Sequence, residues 1–251
     1  MDRCTLEEVL KRALRKQARG MKELPIIFSP HSVREILAGR KTQTRRVIKR
    51  YSDEGVSTPA SYYDGMFWFE DGDTMALECS YGGLGDRLWV KEPWSLGKSH
   101  DERTPHEVWS HLQNTRQGVT VLYKAGGWKS VAPFERQEPV YPDNEPMPEW
   151  AGKRRHAMFM PRWASRITLE ITDQRAERLQ DISEKDIAAE GVHIPSPFVG
   201  VGSDGYPIES EHCDKDPWWF WQQTWDSING EKHPWSANPL VWALTFRRIE
   251  P

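Results

Sequence analysis

Gly39-Arg40-Lys41-Thr42-Gln43-Thr44-Arg45-Arg46 packs a glycine, four basic residues and two hydroxyls into eight positions. The flanks give the cluster its place. Upstream, Pro25-Ile26-Ile27-Phe28 reads as a short strand. Ser29-Pro30-His31-Ser32 then reads as a helix start, with Ser32 and Glu35 forming a capping box. Val33, Ile36 and Leu37 form one apolar stripe, and Gly39 ends the helix because glycine tolerates a left-handed cap. Downstream, Thr42 to Ile48 reads as a strand. The cluster therefore lies at a helix-to-strand junction.

Working outward, Arg87 to Glu92 reads as a strand entered through the turn Gly85-Asp86, and Val119 to Lys124 as another. Ile167 to Thr172 alternates apolar and polar residues, as a half-buried strand does. Ser183 caps a short helix, Glu184 to Glu190, which Gly191 stops. Pro217 to Ile228 reads as a helix with aromatic anchors, and Leu240 to Phe246 as a buried closing strand. A hairpin is expected around Met66 to Glu70, an extended loop over 133–157, and no definite structure over 95–118. Helices are few and short, without the regular β-α alternation of a doubly wound sheet. The expected fold is an α/β (α+β) small mixed β-barrel. Residues 1–20 form a basic helical extension and 21–251 a single domain, with long loop insertions at about 51–83, 95–157 and 193–215.

Composition narrows the function classes. The net charge of −3 argues against a generally basic nucleic-acid coat, so an anion site needs local clustering. Three cysteines without a C-x-x-C pair suit a reducing, cytoplasmic setting. Apolar runs fall short of the roughly 20 residues that span a bilayer, and the N-terminus lacks a secretory apolar region, so no membrane partner is expected. Thirteen tryptophans stand out. Trp218, Trp219, Trp221 and Trp225 read first as core packing and second as a platform for stacked bases.

The central cluster admits two chemistries beyond a solvated basic strand. Lys41, Arg45 and Arg46 could bind phosphate by charge-assisted hydrogen bonds. Alternatively, Thr44 could be a nucleophile with Lys41 as its base, provided burial or a neighbouring cation lowers the lysine pKa. Positions 41 and 44 point to opposite faces of a flat strand, so the two converge only if Lys41 sits in the turn before it. Glu92 ends a strand and reads as a solvated carboxylate, an arginine partner or a functional acid. Glu190 sits against the helix dipole, a mild hint of a role. Arg162-Trp163-Ala164-Ser165-Arg166 could be a strand edge, or could stack a base and hold a phosphate. The donors Glu209, Glu211, His212 and Cys213 lack the paired spacing of a zinc site, and the glycine-rich run at 200–205 lacks a Walker lysine, so neither a metal nor a cofactor is expected.

Leu37 to Arg45 resembles the signature of ASCH domains, written G-x-K-x-x-[ET]-x-R. Gly85 to Glu92 resembles the G-D-x-L-x-V strand of the same family. Met160 to Leu169, Trp225 to Gly230 and Phe246-Arg247-Arg248 are similar to its larger phage and prophage members. The resemblance covers roughly residues 21–249 and implies a PUA-like fold with RNA or a modified nucleoside as partner. Some small members hydrolyse N4-acetylcytidine with a K-x-x-T pair and a downstream glutamate. These fall on Lys41, Thr44 and, through the segment Leu179 to Gly191, on Glu190, with Glu92 as the fallback. Arg40, Arg45, Arg46, Glu92, Arg162 and Trp163 are then the expected substrate-binding residues. A non-catalytic RNA-binding module and a protein-interaction accessory protein are the competing readings.

Overall fold

The computed structural model describes residues 20–48, 59–63, 66–69, 74–76, 79–115, 118–131, 136–137, 148–192, 198–201, 207–209 and 216–249. The expected N-terminal helix and the donor side chains of Glu209, Glu211, His212 and Cys213 lie outside them. In chain order the elements are β1 (Glu23–Ile27), α1 (Pro30–Leu37), β2 (Gln43–Val47), β3 (Pro59–Tyr63), β4 (Met66–Phe69), β5 (Thr74–Ala76), β6 (Arg87–Lys91), β7 (Trp94–Ser95), α2 (Pro105–Thr115) and β8 (Val119–Tyr123). Next come β9 (Trp128–Val131), β10 (Arg136–Gln137), β11 (Thr168–Arg178), α3 (Glu184–Ala189), β12 (Phe198–Val201), β13 (Pro207–Glu209), α4 (Pro217–Asn229) and β14 (Leu240–Ile249). The chain is mixed α/β with few helices, and among the described residues no sheet closes into a barrel.

Two compact units form, each from separated stretches of chain. The first contains Gly39–Cys79 and Asp173–Thr245. Here β2 runs antiparallel to β14, with Thr44 opposite Leu244 and Arg45 opposite Ala243. Leu179, Ile182, Ile187, Trp221, Trp225 and Val241 form the core. The two tryptophans are packing residues, and Trp225 Nε1 also donates to the His233 carbonyl at 2.7 Å. Strands β3, β4 and β5 form an antiparallel three-stranded sheet where a single hairpin was expected.

The second unit contains Ser80–Thr172 with Lys16–Ala38 and Phe246–Pro251. Strand β1 pairs in parallel with β6, which pairs antiparallel with the start of β11. Ile26, Phe28, Val33, Ile36, Leu88, Val90, Leu169 and Phe246 belong to its core. A second sheet, ordered β10-β9-β8-β7, packs Val119, Val121 and Tyr123 with Val108 and Leu112 of α2.

Several boundaries differ from the sequence expectation by a residue or more, and three differences have a physical reason. The cap of α1 is Ser29, not Ser32: its side chain accepts from Ser32 N, and Pro30 occupies the first turn, where a missing N–H costs nothing. Helix α2 lies where no definite structure is expected, yet it carries its own signal. Thr104 and Glu107 form a capping box, with Glu107 Oε2 accepting from Thr104 N at 2.7 Å and Pro105 following the cap. Strand β11 extends to Arg178; from Gln174 on its residues are half-buried and, Ala176 apart, polar, so the alternation of apolar residues does not reveal them. Among the described residues no helix is long and apolar enough to cross a membrane.

Candidate functional site

Gly39 adopts a φ of +74° after α1, which turns the chain before β2 begins at Gln43. Lys41 therefore lies outside the strand, as the sequence required for it to approach Thr44. It faces Glu190 as a single antiparallel bridge, and Thr42 N donates to the Ala189 carbonyl at 2.8 Å. These contacts dock the cationic junction on the end of α3. That helix is positioned by Ser183, whose hydroxyl accepts from Asp186 N, and Glu190 closes it.

Lys41 Nζ donates to Glu190 Oε2 at 2.6 Å and to the Glu190 carbonyl at 2.8 Å. The lysine side chain is 6% exposed and that of Glu190 2%. Burial lowers the Lys41 pKa below the usual lysine value. Glu190 opposes this, and the charges of Arg46 and Arg45 add to the lowering. A buried amine with its proton affinity lowered gives up its proton more readily than a solvated lysine. Lys41 Nζ thus bonds Glu190 through both its side chain and its carbonyl. Thr44 is buried in β2, and alternation turns it and Arg46 away from the face shared by Gln43 and Arg45.

Arg45 occupies a different place from the anion-binding one expected of it. Its side chain is fully enclosed. Nε donates to Glu177 Oε1 at 2.9 Å, and Nη2 to Glu177 Oε1 at 2.5 Å and Asp186 Oδ2 at 3.2 Å. Nη1 donates to Gln43 Oε1 at 2.7 Å and Glu190 Oε1 at 3.2 Å. These bonds use all five guanidinium N–H groups, leaving none for a phosphate. Burial acts to raise the Asp186 pKa, but Arg175, Arg45 and hydrogen bonds from Gln43 and Ser183 outweigh it and hold the carboxyl below its ordinary value. Arg40 is exposed beside this cluster and Arg46 half-buried.

The remaining expected residues lie in the other unit. Glu92 is 1% exposed and accepts from Arg166 Nε at 2.9 Å and Nη2 at 3.0 Å, a two-bond fork. Burial raises its pKa against the pull of Arg166. The Arg166 guanidinium lies 4.0 Å from the ring centroid of Tyr123, whose hydroxyl donates to the Ala164 carbonyl at 2.7 Å. Arg162 forks onto Glu23 at 2.8 and 3.0 Å. The Trp163 ring stacks on Trp109 at 5.8 Å and meets Trp94 edge-on at 5.9 Å, so its neighbours are aromatic residues of its own core.

The structure thus joins Lys41 to Glu190 and adds Gln43, Glu177, Asp186 and Arg175, which the sequence reading did not select. Gln43 and Arg45 are two apart in β2, so strand alternation was a usable signal for the face that they share. Glu177 and Asp186 arrive from β11 and α3, more than a hundred residues away, with no local signal for the partnership. Compared with protein-family models, curated proteins and solved structures, the chain matches none.

Proposed function

We propose that the Lys41–Glu190 pair is the proton-transfer centre of a hydrolase that removes the acyl group from the exocyclic nitrogen of N4-acylated cytidine, free or in RNA. The reading takes the chain as an ASCH-type protein with a PUA-like core. The observation that carries it is the buried 2.6 Å contact between Lys41 Nζ and Glu190 Oε2, between residues that the signature and a distant helix supply separately.

In this reading Thr44 Oγ attacks the acyl carbon and its proton passes to the lysine amine. The C–N4 bond breaks as Lys41 returns a proton to the leaving nitrogen, giving cytidine and an acyl-threonine. Water then attacks the ester, its proton passes through Lys41 to Thr44, and the carboxylic acid leaves. Lys41 also stabilises the developing oxyanion, and Glu190 orients the amine. Arg40 and Arg46 take the ribose or phosphate side.

The test is release of acetate from N4-acetylcytidine. The reading expects turnover that survives chelator and is lost in both Lys41→Ala and Thr44→Ala. Turnover kept in Thr44→Ala but lost in Lys41→Ala assigns the attack to water. Salt-dependent RNA binding without turnover in the wild type would replace the enzyme with a binding module.

A further inference from the structure

We propose that Arg45 is a positioning residue, held by Glu177 and Asp186, that fixes the Glu190 carboxylate so that its other oxygen meets Lys41. The proposal rests on the reading above and assigns a role to a residue that touches no substrate in it.

Glu190 carries two carboxylate oxygens, and each has its own cation. Oε2 accepts from Lys41 at 2.6 Å and Oε1 from Arg45 Nη1 at 3.2 Å. The buried Glu190 side chain extends from the end of a short helix, and its two oxygens are oriented by these two cations. Arg45 can orient Oε1 because the guanidinium is itself held. Its planar fork is tied on the opposite side to Glu177 and Asp186, and its remaining Nη1 hydrogen goes to Gln43. Asp186 is held in turn by Arg175 at 2.8 Å and by Gln43 at 3.2 Å. The chain of contacts fixes the angle at which Glu190 meets the amine, and misplacement by about 1 Å at such a centre can cost on the order of 10²-fold in rate.

The charge of Arg45 has a separate effect, since it also disfavours the Lys41 ammonium. Position and charge are separable by substitution. Arg45→Met removes both, and Arg45→Lys keeps the charge without the fork.

The experiment follows the Lys41 amine by NMR in isotopically lysine-labelled protein, its signal assigned by absence from Lys41→Arg, alongside kcat and KM on N4-acetylcytidine. Arg45→Met is expected to raise the pH at which Lys41 titrates and to lower kcat on the order of 10²-fold, with little change in KM. Arg45→Lys is expected to titrate near wild type with kcat still reduced. A folded Arg45→Met with the wild-type titration and kcat overturns the proposal. If the wild type shows no turnover, the hydrolase reading fails while the titration still decides what Arg45 does to Lys41. If Arg45→Met does not fold, Glu177→Gln takes its place by loosening the guanidinium from its far side. The same changes in smaller measure are expected there, and an unchanged titration and kcat overturn the proposal.

Discussion

Both units bury a carboxylate against an arginine, and they do so in opposite ways. Glu92 and Arg166 form a closed pair: two parallel bonds, with the face of the guanidinium on Tyr123. Arg45 instead serves Glu177, Asp186 and Glu190 at once, and Glu190 also takes the Lys41 ammonium. A closed pair fastens two elements and offers no second partner for a proton. A network with two cations on one carboxylate couples the protonation of one group to the position of the next. The difference separates a two-residue fastening from a network of linked charges, though each is built from residues of the same kinds.

Breaking the network at its lysine should give the largest effect. Lys41→Ala is expected to lower kcat for N4-acetylcytidine by about 10²- to 10⁴-fold, the range for loss of a positioned proton-transfer group; residual turnover near wild type would return Lys41 to a structural role. Arg45→Met comes next, in stability. It leaves buried carboxylates without their cation and is expected to cost about 3–5 kcal/mol by urea denaturation. Glu92→Gln should cost less, about 1–3 kcal/mol, because Arg166 is 13% exposed and can turn toward water. Equal losses from the two substitutions would erase the distinction between network and pair.

The smallest effect, and the sharpest in sign, is the pH dependence. The folded pKa of Asp186 lies below its unfolded value of about 3.9. Its stabilisation is therefore fully present above that value and lost as pH falls through the folded one. The folded pKa of Glu92 lies above its unfolded value of about 4.3, so the folded chain binds more protons in the window between them. Its contribution is fully present below about 4.3 and declines as pH rises toward the folded value. Asp186→Asn should flatten the acid side of the stability profile and Glu92→Gln the side above it, measured by urea midpoints across pH. The same change of slope from both substitutions would contradict the assigned directions.

The legible parts of the fold were those with a period or a punctuation mark. Gly39 ends α1 with a positive φ, Ser183 caps α3, and strands β6, β8 and β14 follow their apolar runs. Helix α2 had its capping box at Thr104 and Glu107 and was legible in principle. Lys41 and Glu190, singled out in the sequence by a cationic cluster and by a carboxylate set against its helix dipole, are in contact in the structure. The expected binding role of Arg45 was not what the structure gave it. Arginine in a strand looks the same in sequence whether it faces water or three carboxylates.

The sequence by itself determined the helix-to-strand junction at Gly39, the residue types available there, and the parity that sets Gln43 and Arg45 on one side of β2. Backbone preference and side-chain period act over a few residues, and these features need nothing more. Only the tertiary structure decided that Glu190, Asp186 and Glu177 meet that side while Glu92 closes on Arg166. Hydrogen bonds and ion pairs depend on distance in space, and a contact across 149 positions leaves no local trace in the order of the residues.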